Sequence, residues 1–475
     1  MNVGAFLTGN AMKHPDKVCL IEGGSKRKVT YKEFNRRVDM LAHGLKKLGF
    51  KKGNKAGLYL RNRLEWAEIY YALSKLGIIA VPINFNMKGD ELLHVIKDSG
   101  LSLTFIDEGL QENIEALLSQ IKRVKNYVFL GDDKVDWCVK YEDIFDSSKA
   151  DEPDILVEEN DVHSICYTSG TTGLAKGAEL TNSNLVFTHF YLMTSEFGFS
   201  STDIFLITTP LAHRIAWGRL LNAISLGATI YIMKKFSAAE TMEAIEQEKI
   251  TLVSLVPTIA KLILQLPNLK EYDTSSLRIF LLTGEAFSQE TQKELKESFP
   301  HASLITFYSS TETATISSLG PEDIFKKPNS VGRPVRGVDV RIVDDFGRDV
   351  PIGDAGEIMM KCGKPGIFEV MKRYHNNPEA TREAFLGDWI RTGDIGRFDN
   401  EGYLYIVDRK KDMIISGGYN IYSREVEKVI ECHPMIKEVA VVGVPDKDFG
   451  EAVKAFVILE TRDGIAEEEV IKKEI

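Results

Sequence analysis

Residues 163–177 read HSICYTSGTTGLAKG, an apolar strand pattern that runs into a loop of glycines and hydroxyls and ends on lysine and glycine. The segment from Tyr167 to Gly177 carries Thr168, Ser169, Gly170, Thr171, Thr172, Gly173 and Lys176. Glycines allow positive φ and close approach, amides and hydroxyls donate, and Lys176 neutralises charge, so the loop suits an anion such as a phosphate. A Ser/Thr/Gly-rich surface turn is the plain alternative, and the lysine-glycine continuation argues against it. The loop is not the G-x-x-x-x-G-K-[ST] type, because Leu174 and Ala175 separate Gly173 from Lys176. No G-x-G-x-x-G follows a strand either, so nucleotide chemistry here would use a different fold.

Outward from the loop, helix and strand patterns alternate. Thr30 and Glu33 form a capping-box signature, and Phe34, Val38, Leu41, Leu45 and Leu48 then share one helical face that Gly49 ends. NRLEWAEIYYALSKLG (62–77) places Trp66, Ile69, Leu73 and Leu76 inward, and the apolar run IIAVPIN follows. AIEQEKI with TLVSLVP, and TQKELKESF with SLITFY, repeat the pairing. Such alternation predicts an α/β protein with largely parallel sheets. After about Ser330 short strands separated by Gly, Pro and Asp turns predict a β-rich subdomain. The charged run Asp408–Asp412 reads as an exposed linker, and a helix and strands beyond Ile421 begin an α+β unit. The expected fold is therefore a large N-terminal body, 1–410, of two mainly parallel α/β subdomains plus a β-rich subdomain at about 330–410. A small mobile α+β C-terminal domain, 411–475, follows and reads as cut in mid-helix.

Composition narrows the class. The 475 residues carry 59 Lys+Arg against 69 Asp+Glu, a net charge of −10, which argues against broad binding of nucleic acid or anionic membrane. Five scattered cysteines without a C-x-x-C pair indicate neither a disulfide framework nor a zinc knuckle. No signal-peptide core or transmembrane-length apolar run is present. The reading is a reduced, cytoplasmic, multidomain protein, for which a homodimer is compatible.

YTSGTTGLAKGAELTNSN (167–184) resembles the signature loop of the adenylate-forming superfamily of acyl-CoA synthetases, luciferases and peptide-synthetase adenylation domains, with Ala175 where Pro is usual and Asn182 where His is common. Tyr308-Ser309-Ser310-Thr311-Glu312, MKRYHNNPEATREAF, Trp389–Asp394 and GYLYIVDRKKDMIISGGYNIYSREVE extend the resemblance from about residue 15 to the end. It implies an enzyme that activates a carboxylic acid with ATP and Mg²⁺ to an acyl-adenylate and then transfers the acyl group to CoA. Lys176, His213 and Glu312 would be catalytic, with Glu312 holding the metal. Thr168 to Gly173, Gly284, Glu285, Ala286, Tyr308, Ser309, Thr311, Asp394, Arg409, Gly417 and Gly418 would bind nucleotide or CoA, and Lys411 would be the hinge.

Pro210-Leu211-Ala212-His213 resembles the family's pocket motif. His213, Trp217 and Phe307 would then line a site for an aliphatic, alicyclic or aromatic acid, while Arg214 is expected to face outward. His213–Trp217 lacks the Asp typical of amino-acid-activating relatives. An acceptor other than CoA, or a non-catalytic nucleotide-binding role, are the competing readings; Phe449 and the Ser416–Gly418 loop favour CoA. The family's late catalytic lysine, in a Gly-Lys motif, has no counterpart among Lys454, Lys472 and Lys473. The expectation is that this chain is impaired in adenylation. Acid-dependent ATP–pyrophosphate exchange should be depressed relative to acyl transfer from preformed acyl-adenylate; normal exchange would refute it.

Overall fold

At the start of the first long helix, the Thr30 hydroxyl accepts from the Glu33 amide at 3.2 Å and Glu33 accepts from the Thr30 amide at 2.9 Å. The helix spans Tyr31–Lys47 and buries Phe34, Val38, Leu41 and Leu45, whereas Leu48 falls at its cap and is half exposed. The computed structural model describes residues 2–122, 124, 126–168, 174–417, 419–431, 433, 435–447 and 449–459. Ser169, Gly170, Thr171, Thr172, Gly173, Gly418 and the expected terminal helix lie outside the described residues.

The chain divides into two compact units, one of residues 1–339 with 361–390 and the other of 340–360 with 391–475. This division runs through the stretch expected to form one β-rich subdomain, rather than at 410/411. In the first unit one sheet runs in the order Lys28–Thr30, Val18–Glu22, Thr229–Ile232, Ile204–Ile207, Leu252–Leu255, Ile279–Leu282, Ser303–Ser310, Ala314–Leu319 and Ser330–Pro334. From Val18–Glu22 to Ser303–Ser310 its pairings are parallel. A second sheet runs Arg373–Tyr374, Lys176–Thr181, Val162–Thr168, Ile79–Pro82, Lys55–Tyr59, Leu103–Asp107, Asn126–Leu130 and Val139–Lys140. Its pairings are parallel except at the end that includes Lys176–Thr181.

The helix Leu64–Leu76 packs on strands of both sheets. That position explains why it is buried all round, not along one stripe as its periodicity predicts. Burial extends to Lys75, whose ammonium meets Asp39 at 2.6 Å and Glu152 at 2.5 Å. Gly77 ends the helix at φ 64°, the left-handed cap that glycine adopts without strain.

In the second unit the strands Asp339–Val343, Gly356–Lys361, Trp389–Phe398 and Leu404–Arg409 lie side by side. Tyr419–Ile421, Ile414–Ser416, Gly450–Leu459 and Ile436–Asp446 form another sheet, against which the helix Ser423–Glu431 packs. The run Asp408–Asp412 is only partly the exposed linker it resembles: Asp408 is buried and accepts from the Ser423 hydroxyl at 2.9 Å. No described helix is long and apolar enough to cross a membrane.

Removing one partner of a buried ion pair leaves an uncompensated charge and typically costs about 3–5 kcal/mol. Lys75→Met should destabilise the protein by that order in urea unfolding, and a loss below about 1 kcal/mol would show that Asp39 is already neutral or solvated.

Candidate active site

The carboxyl ends of parallel strands are where open α/β sheets present ligand-binding loops. Pro210–His213 follows Ile204–Ile207, Gly284–Ala286 follows Ile279–Leu282, and Tyr308 to Glu312 end and follow Ser303–Ser310. Gly284 sits at φ 90°, and a Cβ there would come within 3.0 Å of Val256, so the turn favours glycine on two counts. Glu285 and Ala286 beside it are exposed.

The strands on either side of the Ser/Thr/Gly-rich loop form an antiparallel pair. Thr168 and Lys176 are direct partners across Val162–Thr168 and Lys176–Thr181, so its two ends are held together. The second of these strands is absent from the sequence reading, since KGAELT has little alternation. The Thr168 hydroxyl donates to Glu312 Oε1 at 3.0 Å, across 144 residues of sequence. The same oxygen accepts from the Tyr374 hydroxyl at 3.0 Å, and the Glu312 carbonyl accepts from the Met371 amide at 2.8 Å. Lys176 Nζ lies 5.6 Å from the Tyr374 ring centre, within cation–π range. Loop end, lysine, carboxylate and phenol thus converge at one place. Tyr308 is buried just before this turn, and Ser309 and Thr311 flank Ser310, whose hydroxyl meets that of Thr313 at 2.9 Å.

Glu179 holds this corner together. It accepts from Arg373 at 2.9 Å and contacts His375 Nδ1 at 2.7 Å. Burial would raise its pKa, but the bonds from His375 and Arg373 outweigh burial, and the carboxyl titrates below its ordinary range.

His213 caps the helix Arg214–Leu226 and keeps an exposed edge, while desolvation by the surrounding protein lowers its pKa. Its loop is pinned from below by Asn62, which accepts from the Leu211 amide at 2.7 Å and donates to the Thr209 carbonyl at 3.0 Å. Asn62 has no signal in the sequence beyond its place after an apolar strand. Arg214 points inward, correcting the expectation of an outward side chain: it donates to the Thr311 carbonyl and stands in the field of Glu369. Trp217 is fully buried, 5.9 Å from Tyr70 and 5.8 Å from His189. Phe307 packs against Phe197, with ring centres 5.5 Å apart and the planes tilted by 43°.

Within the second unit, Asp394 and Arg409 are direct strand partners and form an ion pair at 3.1 Å. Gly393 precedes Asp394 at φ 74°. Lys411 is exposed. Gly417 has φ 57°, its amide donates to the Phe449 carbonyl at 2.9 Å, and a Cβ there would sit 3.0 Å from the Phe449 ring. The glycine loop and Phe449 are therefore neighbours.

An anion-suited loop, a lysine and a lone carboxylate at strand ends define a nucleotide-handling α/β enzyme. A single carboxylate suits Mg²⁺, which is commonly bound by one or two carboxylates together with substrate phosphates and water. Among the described residues no cluster of three or more His, Cys, Asp or Glu forms an all-protein metal cage. A model of the AMP-binding enzyme family matches residues 7–375, and one of the AMP-binding enzyme C-terminal domain matches 425–475. The long-chain-fatty-acid–CoA ligase FadD13 of Mycobacterium tuberculosis (strain CDC 1551 / Oshkosh) is 32% identical over 99% of this chain and 91% of its own. A feruloyl-CoA synthase of Amycolatopsis sp is 33% identical over 96% of this chain and 88% of its own. The O-succinylbenzoate coenzyme A synthetase of Bacillus subtilis, in complex with ATP and magnesium ion, superposes with a TM-score of 0.85 at 29% identity, covering 99% and 92% of the two chains. The chain belongs to the AMP-binding enzyme family.

Because a depressed folded pKa contributes stability above the unfolded value, Glu179 should stabilise the fold above about pH 4.3 and lose that contribution as pH falls towards its lowered folded value. Glu179→Gln should therefore unfold at lower urea than wild type at pH 7, with the gap closing at acidic pH; a gap independent of pH would contradict this assignment.

Proposed function

We propose that Lys176, Glu312, Thr168 and His213 serve adenylation of an aliphatic, alicyclic or aromatic acid, and that Asp394, Arg409 and the Gly417 loop serve nucleotide and CoA. The chain is an ATP-dependent acid–thiol ligase: a carboxylate is joined to the α-phosphate of ATP with loss of pyrophosphate, and the acyl group then passes to CoA with release of AMP. It uses ATP, Mg²⁺ and CoA.

The observation that carries these roles is the convergence of Thr168 and Tyr374 on Glu312 at the strand ends, with Lys176 against the Tyr374 ring. Two anions must meet in the first step, so the main barrier is their repulsion. Lys176 supplies a fixed positive charge that offsets this repulsion with little reorganisation at the moment of reaction. Mg²⁺ held by Glu312 would neutralise phosphate charge. Thr168 and Tyr374 fix the Glu312 carboxylate by two hydrogen bonds to Oε1. His213, neutral at pH 7 because its pKa is lowered, would line the acid's approach without adding a cation that holds the carboxylate too tightly.

The hinge proposed at Lys411 lies between a strand that carries Arg409 and the strand that leads to Gly417. A cytoplasmic location is supported by Cys19, Cys138, Cys166 and Cys362, all free thiols.

AMP release should depend on both CoA and a carboxylic acid in a panel of aliphatic, alicyclic and aromatic acids. Lys176→Met and Glu312→Gln should each lower kcat by about 10²–10³-fold, in line with loss of one oriented charge or donor. AMP release unaffected by both substitutions would sink the assignment.

A further inference from the structure

The helix Arg214–Leu226 carries a second arginine, one turn and a half beyond the first. Arg219 is 3% exposed, and its Nε and Nη1 have no hydrogen-bond partner. Nη2 reaches only the Met193 sulfur, at 3.1 Å. The guanidinium lies 5.8 Å from the Phe199 ring centre and 6.0 Å from that of Phe307, near the outer limit of cation–π attraction. Burial alone lowers its pKa to about 9, so it stays protonated at pH 7 without a carboxylate acting on it.

Other donors stand in the same place. His189 is buried with neither ring nitrogen partnered, and its pKa is depressed by burial and by the fields of Arg214 and Arg219. It belongs to a π-helical segment, Phe187–Leu192, a local widening that recurs at functional sites. Gly218 lets the two helices close on it, since a Cβ there would sit 2.7 Å from His189 Cε1. Trp217 Nε1 and Arg214 Nη2 are unpartnered too. Two carboxyl groups in this neighbourhood, Glu369 and Glu312, act on Arg214. Arg219 has none, and a buried guanidinium with two idle N–H groups is costly unless an acceptor pairs with it.

We propose that Arg219 reads a second carboxylate on the acid substrate, so that this chain prefers dicarboxylic acids over monocarboxylic acids of the same skeleton. The inference rests on the ligase reading, with His213 marking the reacting end. Six residues of helix separate His213 from Arg219, about 9 Å at 1.5 Å per residue. Phe307 and Phe199 would flank the distal group, and a planar guanidinium suits bidentate carboxylate recognition.

A site built around a substrate's charged group rejects the analogue that lacks it far more strongly than an apolar pocket rejects a methylene. The test compares matched monoacids and diacids of four to ten carbons in two assays. One is CoA-dependent AMP release; the other is calorimetric binding of their non-hydrolysable acyl-sulfamoyl adenosine analogues. At least one diacid should exceed its monoacid by about 100-fold or more in kcat/KM and in affinity. Arg219→Met should reverse the order with no loss of melting temperature, and Arg219→Lys should restore part of the preference. Equal or better use of every monoacid, an unchanged ratio in Arg219→Met, or a marked fall in its melting temperature would overturn the inference while leaving the ligase reading intact. Selective binding of a diacid analogue without AMP release from any acid would uphold the inference and show the adenylation impairment expected of this chain. Binding of no analogue would overturn both.

Discussion

Glu312 is the residue on which the corner between residues 168–179 and 371–375 depends. Its Oε1 accepts from Thr168 and from Tyr374, so one carboxylate oxygen ties the end of the phosphate loop to a segment some two hundred residues downstream. Its own carbonyl accepts from Met371. The short strand Arg373–Tyr374 pairs with Lys176–Thr181, and the Lys372 and His375 amides donate to the Glu179 and Gly177 carbonyls at 2.8 and 2.7 Å. Lys176 is thereby held between two strands as well as against the Tyr374 ring. Placing a charge this way makes its entropy cost part of folding, not of catalysis. It also explains why a mainly parallel sheet ends antiparallel here: a parallel crossover would need an intervening helix, whereas a hairpin can carry a loop directly over the strand ends.

The opposite wall of the site depends on a neutral residue. Asn62 also donates to the Met233 carbonyl at 3.0 Å, so one amide joins three loops that follow three different strands. The helix that starts just after it, Leu64–Leu76, packs on both sheets, and its buried Lys75 anchors it to Asp39 and Glu152. The loop bearing His213 is thus set by the same element that joins the two sheets.

What was legible in the sequence is what short-range rules govern. The Thr30–Glu33 box, the Gly77 stop and the helix-strand alternation follow from neighbours a few residues apart, and each stands as expected. The Ser/Thr/Gly-rich loop was legible as a composition, and its two ends, Thr168 and Lys176, are direct strand partners. The places of Tyr374 and Asn62 were not legible, because their partners lie 62 and 149 residues away, and that of Arg219 was not, because two of its N–H groups have no partner at all. The inward turn of Arg214 was missed for a related reason. Periodicity assigns a charged residue to the solvent face unless a buried acceptor is known, and here the acceptor is the Thr311 carbonyl, 97 residues on. Asp394 and Arg409 fall between these cases: the motif marks each one, but only their strand register shows that they face each other.

Polar atoms left without partners are distributed in a way that packing alone does not explain. Apart from Trp66, Thr104 and Gln111, the buried unpartnered side-chain atoms among the described residues belong to Thr188, His189, Thr194, Arg214, Trp217, Arg219, Asn222 and Glu369. Seven of these eight lie within 35 residues of sequence, on the two helical segments that meet at Gly218. Stable cores satisfy such groups or exclude them, and natural proteins break that rule chiefly where function requires it. The strand ends around Glu312 obey the rule: its carboxylate oxygen takes both the Thr168 and the Tyr374 hydroxyl. The helical pair behind His213 breaks it, as a surface should when the acid supplies the last partner and so decides which acid is accepted.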